Sequence, residues 1–117
     1  MIEQVAAALR RGRFRRGSEA ILQKDIAELL TNLVGISGFK KEAVIGERER
    51  IDFLVSGGIG IEAKLKWPAR QIYRQLERYA ESDAITGIIL ISGTAMGCPD
   101  SINGKPIYFV SLGLTAI

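Results

Sequence analysis

Asp52, Glu62 and Lys64 are the side chains whose types and spacing could do chemistry together. They lie in two alternating runs, Arg50 to Ser56 and Ile59 to Lys66. Period-two alternation puts Ile51, Phe53 and Val55 on one face of the first run and Asp52 on the other. In the second run Ile59, Ile61, Ala63 and Leu65 share a face, and Glu62 and Lys64 share the opposite one. Gly57-Gly58 is a tight-turn signal between them, so the chain folds back and Asp52 comes beside Glu62. Two carboxylates that close repel each other unless a cation sits between them. A hard divalent ion with carboxylate, carbonyl and water ligands suits them, leaving Lys64 to face an attacking water or a phosphate. The competing reading is of exposed strand charges paired across a hairpin.

Residue inventory narrows the alternatives. The chain has no histidine and one cysteine, Cys98. Histidine-based triads and most zinc sites are therefore excluded, and any metal site must be built from oxygen ligands. Cys98 falls in a loop without a histidine partner, which argues against a nucleophile. One cysteine cannot form an internal disulfide, so a reducing, cytoplasmic setting is expected. No apolar run is long enough to span a bilayer and no signal peptide is evident, so no membrane partner is expected.

The elements that must position these groups can be read from periodicity and punctuation. Residues 2–11 suit a short helix. Ser18 is a good N-cap for a helix over 19–34 ending before Gly35, with Leu22, Ile26, Leu29, Leu30 and Leu33 as its apolar face. Lys40 to Ile45 reads as a strand before the two runs described above. Pro68 suits the first turn of a helix over 69–82, whose apolar side is Ile72, Leu76, Tyr79 and Ala80. Gly87 to Ile91 is a continuous apolar run, as expected of a central strand covered on both faces. Gly93 to Lys105 reads as a loop and Ile107 to Leu112 as a final strand. Helices covering the faces of a sheet are the natural layered arrangement of this order.

Taken together, these residues resemble the PD-(D/E)XK nuclease superfamily. The resemblance is carried by Arg50-Ile51-Asp52-Phe53-Leu54-Val55, by Ile61-Glu62-Ala63-Lys64, and by Gln75-Leu76-Glu77-Arg78-Tyr79 on the next helix. It covers roughly residues 18–112, and Ile51 replaces the proline often found before the family's aspartate. The resemblance implies an α/β fold with a restriction-endonuclease-like core: a central mixed sheet flanked by helices, in the order α-β-β-β-α-β-β, with an extra N-terminal helix. It implies that Asp52, Glu62 and the main-chain carbonyl of Ala63 bind Mg2+, with Mn2+ as a substitute. Lys64 would orient or help deprotonate the attacking water and stabilise charge on the phosphate. Gln75 would reach back toward the site. Tyr79 lies one turn further on and reads equally well as a core aromatic.

The family often places a glutamate on its first helix. At about 3.6 residues per turn, Glu19 falls on the inward stripe of Leu22, Ile26, Leu30 and Leu33, whereas Glu28 points nearly opposite. Glu19 is therefore the expected residue, with a first-turn role toward the helix dipole as the plainer alternative. Glu42 is a weaker candidate.

Charge placement points to the partner. Residues 1–16 hold Arg10, Arg11, Arg13, Arg15 and Arg16 against Glu3, so the net charge of +3 is concentrated in this arm. Guanidinium forks suit phosphate, although a solvated basic linker would look the same. Arg70, Arg74 and Arg78 recur every four residues and could form a second basic stripe or surface ion pairs. At 117 residues the chain is one domain's worth, read as an arm (1–17) and a nuclease-like domain (18–117) with no room for a separate recognition domain. The expected function is a metal-dependent endonuclease acting on DNA, as a homodimer presenting two sites or with limited sequence preference. The alternatives are a non-catalytic nucleic-acid-binding module of the same fold and an assembly subunit using the basic arm.

Overall fold

The computed structural model describes residues 1–112; the last five residues of the expected domain lie outside the described residues. Helices α1 (Ile2–Arg11) and α2 (Glu19–Val34) precede strands β1 (Phe39–Gly46), β2 (Glu49–Val55) and β3 (Ile59–Lys64). Helix α3 (Ala69–Ala80) follows, then β4 (Gly87–Ser92), β5 (Ser101–Ile102) and β6 (Lys105–Ser111). The protein is an α/β fold with a six-stranded mixed sheet in the order β1-β2-β3-β4-β6-β5. β1, β2 and β3 form an antiparallel meander. β3, β4 and β6 run parallel, and β5 closes back on β6.

Local chemistry explains the boundaries. The Ser18 hydroxyl accepts from Ile21 N at 3.1 Å and starts α2. Gly57 and Gly58 take φ of 95° and 88°, which turn β2 into β3 at no steric cost to glycine. β4 is buried throughout because helices cover both faces. Its Ile89 and Ile91 join Val5, Leu9, Leu22, Ile26 and Leu30 of α1 and α2. Its Ile88 and Leu90 join Ile72, Leu76 and Tyr79 of α3.

Four expectations need correction. β5 lies inside the stretch read as loop; Asn103 and Gly104, at φ of 52° and 76°, make the hairpin turn that creates it. Leu33 is 43% exposed and does not continue the inward stripe of α2. Helix α1 is part of the core and not an appendage, since Val5, Ala6 and Leu9 have no exposed surface.

The fourth correction bears on the site. Ile51 does not share a face with Phe53 and Val55: it packs with the α3 cluster, they with the α1–α2 cluster. The β1–β2 register pairs Lys41 with Phe53 and Ala43 with Ile51 but skips Glu42 and Asp52. Glu42 there has φ of 46°, unusual for a non-glycine residue. On the other side, the β2–β3 ladder runs only from Phe53–Ile61 to Val55–Ile59. The alternation of β2 therefore breaks at Asp52, and β2 and β3 part beyond it.

Candidate functional site

Beyond Phe53 and Ile61, side chains take over the hydrogen bonding that the ladder drops. The backbone N of Asp52 donates to Glu62 Oε1 at 3.1 Å. The backbone N of Ala63 donates to Asp52 Oδ2 at 2.9 Å. Each acid thus closes on the other's strand across the fork. In an extended strand the N–H and C=O of one residue point the same way, so the Ala63 carbonyl also faces this gap.

The second oxygen of Glu62 is equally occupied. Lys64 Nζ lies 3.1 Å from Oε2, and the Tyr79 hydroxyl donates to it at 3.0 Å. Glu62 and Lys64 are 2% and 7% exposed, so this pair is buried, while Asp52 is half-buried. Burial pushes the Glu62 carboxyl up to about 7, with the Asp52 charge adding to the rise and Lys64 opposing it. Burial also raises Asp52; the Ala63 N–H, Lys64 and Gln23 favour its charged form, and Glu19 works against it. Burial and then the Glu62 charge push the Tyr79 hydroxyl well above its ordinary range.

Helix α2 supplies the third side of the site. Glu19 Oε2 accepts from Leu65 N at 3.2 Å and from Trp67 Nε1 at 2.7 Å. Capture of the Leu65 amide coincides with the end of β3 at Lys64, short of the expected Lys66. Gln23, one turn beyond Glu19, lies near enough to the Asp52 carboxylate to favour its charged form. The Trp67 ring lies over Lys64, with Nζ 4.0 Å from its centroid. Asp52, Glu62, Lys64 and Glu19 therefore come together. Glu28 and Glu42 are exposed elsewhere.

Gln75 is different. It is half-buried on α3 and takes no part in the hydrogen bonds that tie these carboxylates together. Tyr79, one turn later, makes the contact to Glu62 and a second to the Arg50 carbonyl at 3.0 Å. Tyr79 is thus both a core aromatic and a partner of the acid. A buried tyrosine hydroxyl needs a polar partner, and that was the available signal. Gln23 carried a signal too, its helical spacing from Glu19. Trp67 carried none beyond its nearness to Lys64 in sequence.

The arm is not a uniform comb of cations. Arg10 donates to the Phe109 carbonyl at 3.1 Å and lies over Tyr108. Arg15 pairs with Asp25 at 2.7 Å, and that contact holds the Asp25 carboxyl below its usual range. Arg16 lies against Gly93, where an added Cβ would sit 2.7 Å from its Nη2 and 2.9 Å from the Leu65 carbonyl. It is the arginine of the arm set near the ends of β3 and β4. Arg11, Arg13, Arg70 and Arg74 are exposed, and Arg78 is paired with Glu49 at 2.9 Å.

The donors suited to a metal are hard oxygens: the carboxylates of Asp52 and Glu62 and the carbonyl of Ala63. Among the described residues no group of three or more His, Cys, Asp or Glu side chains is arranged to hold an ion. A buried acid and a half-buried one that raises its proton affinity nonetheless suit a divalent cation, which would relieve that repulsion. Among the described residues no helix is long and apolar enough to cross a membrane. Compared with family models, curated proteins and solved structures, the chain matches none of them.

Proposed function

We propose that this protein is a metal-dependent nuclease that hydrolyses DNA phosphodiester bonds, built on a restriction-endonuclease-like core. The observation that carries the reading is the fork: Asp52 and Glu62 each reach across it, with the Lys64 ammonium 3.1 Å from Glu62. The pattern Asp, then Glu-x-Lys on the next strand, is the one from which the resemblance was drawn.

Asp52, Glu62 and the Ala63 carbonyl would hold Mg2+ or Mn2+. Bound there, the ion would supply charge to polarise the phosphate and to acidify water. The remaining work falls to the chain's own groups. Lys64 is held by Glu62 and by the Trp67 ring, so its ammonium is pre-placed to orient the water and meet the charge that develops on phosphorus. Gln23 favours the charged, ligating form of Asp52 against the effect of burial, and Glu19 fixes the chain leaving β3. Arg16, Arg70 and Arg74 would meet flanking phosphates, and a homodimer would present two such sites. Cleavage of a panel of duplex, junction, flap and single-stranded DNAs, read on denaturing gels, tests the reading. Cutting should require Mg2+ or Mn2+ and disappear in Lys64→Ala and Asp52→Asn. No cutting of any member by the wild-type protein overturns it.

One observation favours a second reading, a nucleic-acid-binding module without catalysis. Both oxygens of Glu62 are already engaged within the fold. That reading requires salt-dependent DNA binding that is indifferent to added divalent ions.

A further inference from the structure

Trp67 is the only tryptophan in the chain and is 39% exposed. Its side chain is nevertheless fixed. The indole N–H donates to Glu19 Oε2 at 2.7 Å, and Lys64 Nζ occupies one face of the ring 4.0 Å from the centroid. Its backbone carbonyl accepts from Thr94 Oγ1 at 2.8 Å. With Lys64 over one face of the ring and Glu19 on its N–H edge, the residue still leaves 39% of its surface open. A large apolar surface is thus held rigid and half open beside the ammonium expected to meet the scissile phosphate. Lys66 and Arg70 flank it, both exposed.

We propose that Trp67 is a stacking platform for an unpaired base of the DNA substrate, next to the phosphate that is cut. The proposal rests on the nuclease reading and names its substrate class. Every base has a π-face, and stacking on an aromatic side chain works without sequence readout. In a continuous duplex both faces of each base are covered by neighbours. An unpaired base, in a single strand, a flap or a junction, offers a free face. Because two contacts already hold the ring and a third its backbone, little ordering cost remains when a base arrives. The cations beside it would hold the backbone on either side, the combination used by single-strand binders.

The lone tryptophan makes the test direct, since intrinsic emission reports Trp67 alone. The full chain is titrated in EDTA with a single-stranded oligonucleotide and with a blunt duplex of the same sequence. The single strand should quench Trp67 emission by about half or more, and the duplex should leave it nearly unchanged, as base stacking requires. Binding by anisotropy of a labelled single strand should weaken about tenfold in Trp67→Ala and be largely kept in Trp67→Phe. With Mg2+, the ratio of single-strand to duplex cleavage should fall in Trp67→Ala and recover in Trp67→Phe. Equal quenching by both DNAs, or an unchanged cleavage ratio in Trp67→Ala, overturns the platform while leaving the nuclease reading standing. Quenching by the single strand with no cleavage of any DNA removes the nuclease reading, and with it the placement of the base beside a scissile phosphate.

Discussion

The Tyr79 hydroxyl lies 3.0 Å from Glu62 Oε2 and 3.0 Å from the Arg50 carbonyl, one proton facing two acceptors. The hydroxyl proton is shared between the two, a three-centre hydrogen bond that ties the acid to the β2 backbone. Burial and the Asp52 charge raise the proton affinity of that acid. The helix on one face of the sheet and the acid at the fork are therefore joined through the Tyr79 hydroxyl.

Stability should fall as pH rises through this titration. Folded Glu62 titrates at about 7 against 4.5 for the free side chain, so between those values the folded chain binds the proton that the unfolded chain has released. Raising the pH across that window disfavours folding, by up to about 3 kcal/mol for this group. Urea denaturation of wild type and Glu62→Gln from pH 4.5 to 8 measures it. The wild type should lose stability relative to the variant, and parallel curves would show that Glu62 titrates normally.

Removal of the tyrosine hydroxyl tests its structural share. Tyr79→Phe keeps the packed ring but deprives two buried acceptors of a donor, which should cost about 1–3 kcal/mol. The urea midpoint should drop with an unchanged slope. An unaltered midpoint would mean that the hydroxyl contributes no net stability.

Gln23→Ala should lower DNA cleavage about tenfold, the usual scale for a group that orients a metal-ligating carboxylate. The informative readout is the pH–rate profile. Gln23 favours the charged form of Asp52, so its loss should move the acid limb to higher pH. A rate loss with no displacement of that limb would indicate a packing effect only.

The arm arginines should divide by their partners. Arg11→Ala with Arg13→Ala, both exposed, should flatten the dependence of log Kd on log salt by about 0.7 to 0.9 per lost phosphate contact. Arg15→Ala should do less, because Asp25 already holds that side chain at 2.7 Å. An equal effect from Arg15→Ala would show that DNA displaces Asp25.

Much of the candidate site was legible because it depends on local periodicity. Glu62 and Lys64 share a face by the period of a strand, and Glu19 lies inward by the period of a helix. What period two could not show was the break at Asp52. It coincides with a positive φ at Glu42 on the neighbouring strand, a tertiary event without a local signature. The result still brought Asp52 to Glu62, through backbone amides and not through simple side-by-side pairing. Asn103-Gly104 was a readable hairpin signal, but the strand it starts is two residues long and shows no alternation. On α3 it is Tyr79, one turn beyond Gln75, that provides the helix's hydrogen bond to Glu62.

The same carboxylate oxygens that would grip an ion also zip the two strands past the point where their own ladder stops. Loading and local unzipping are then linked events. Saturating divalent ion should speed hydrogen–deuterium exchange at the amides of Asp52 and Ala63 while the neighbouring amides stay protected, so the entrance to this centre would be the seam of the sheet itself.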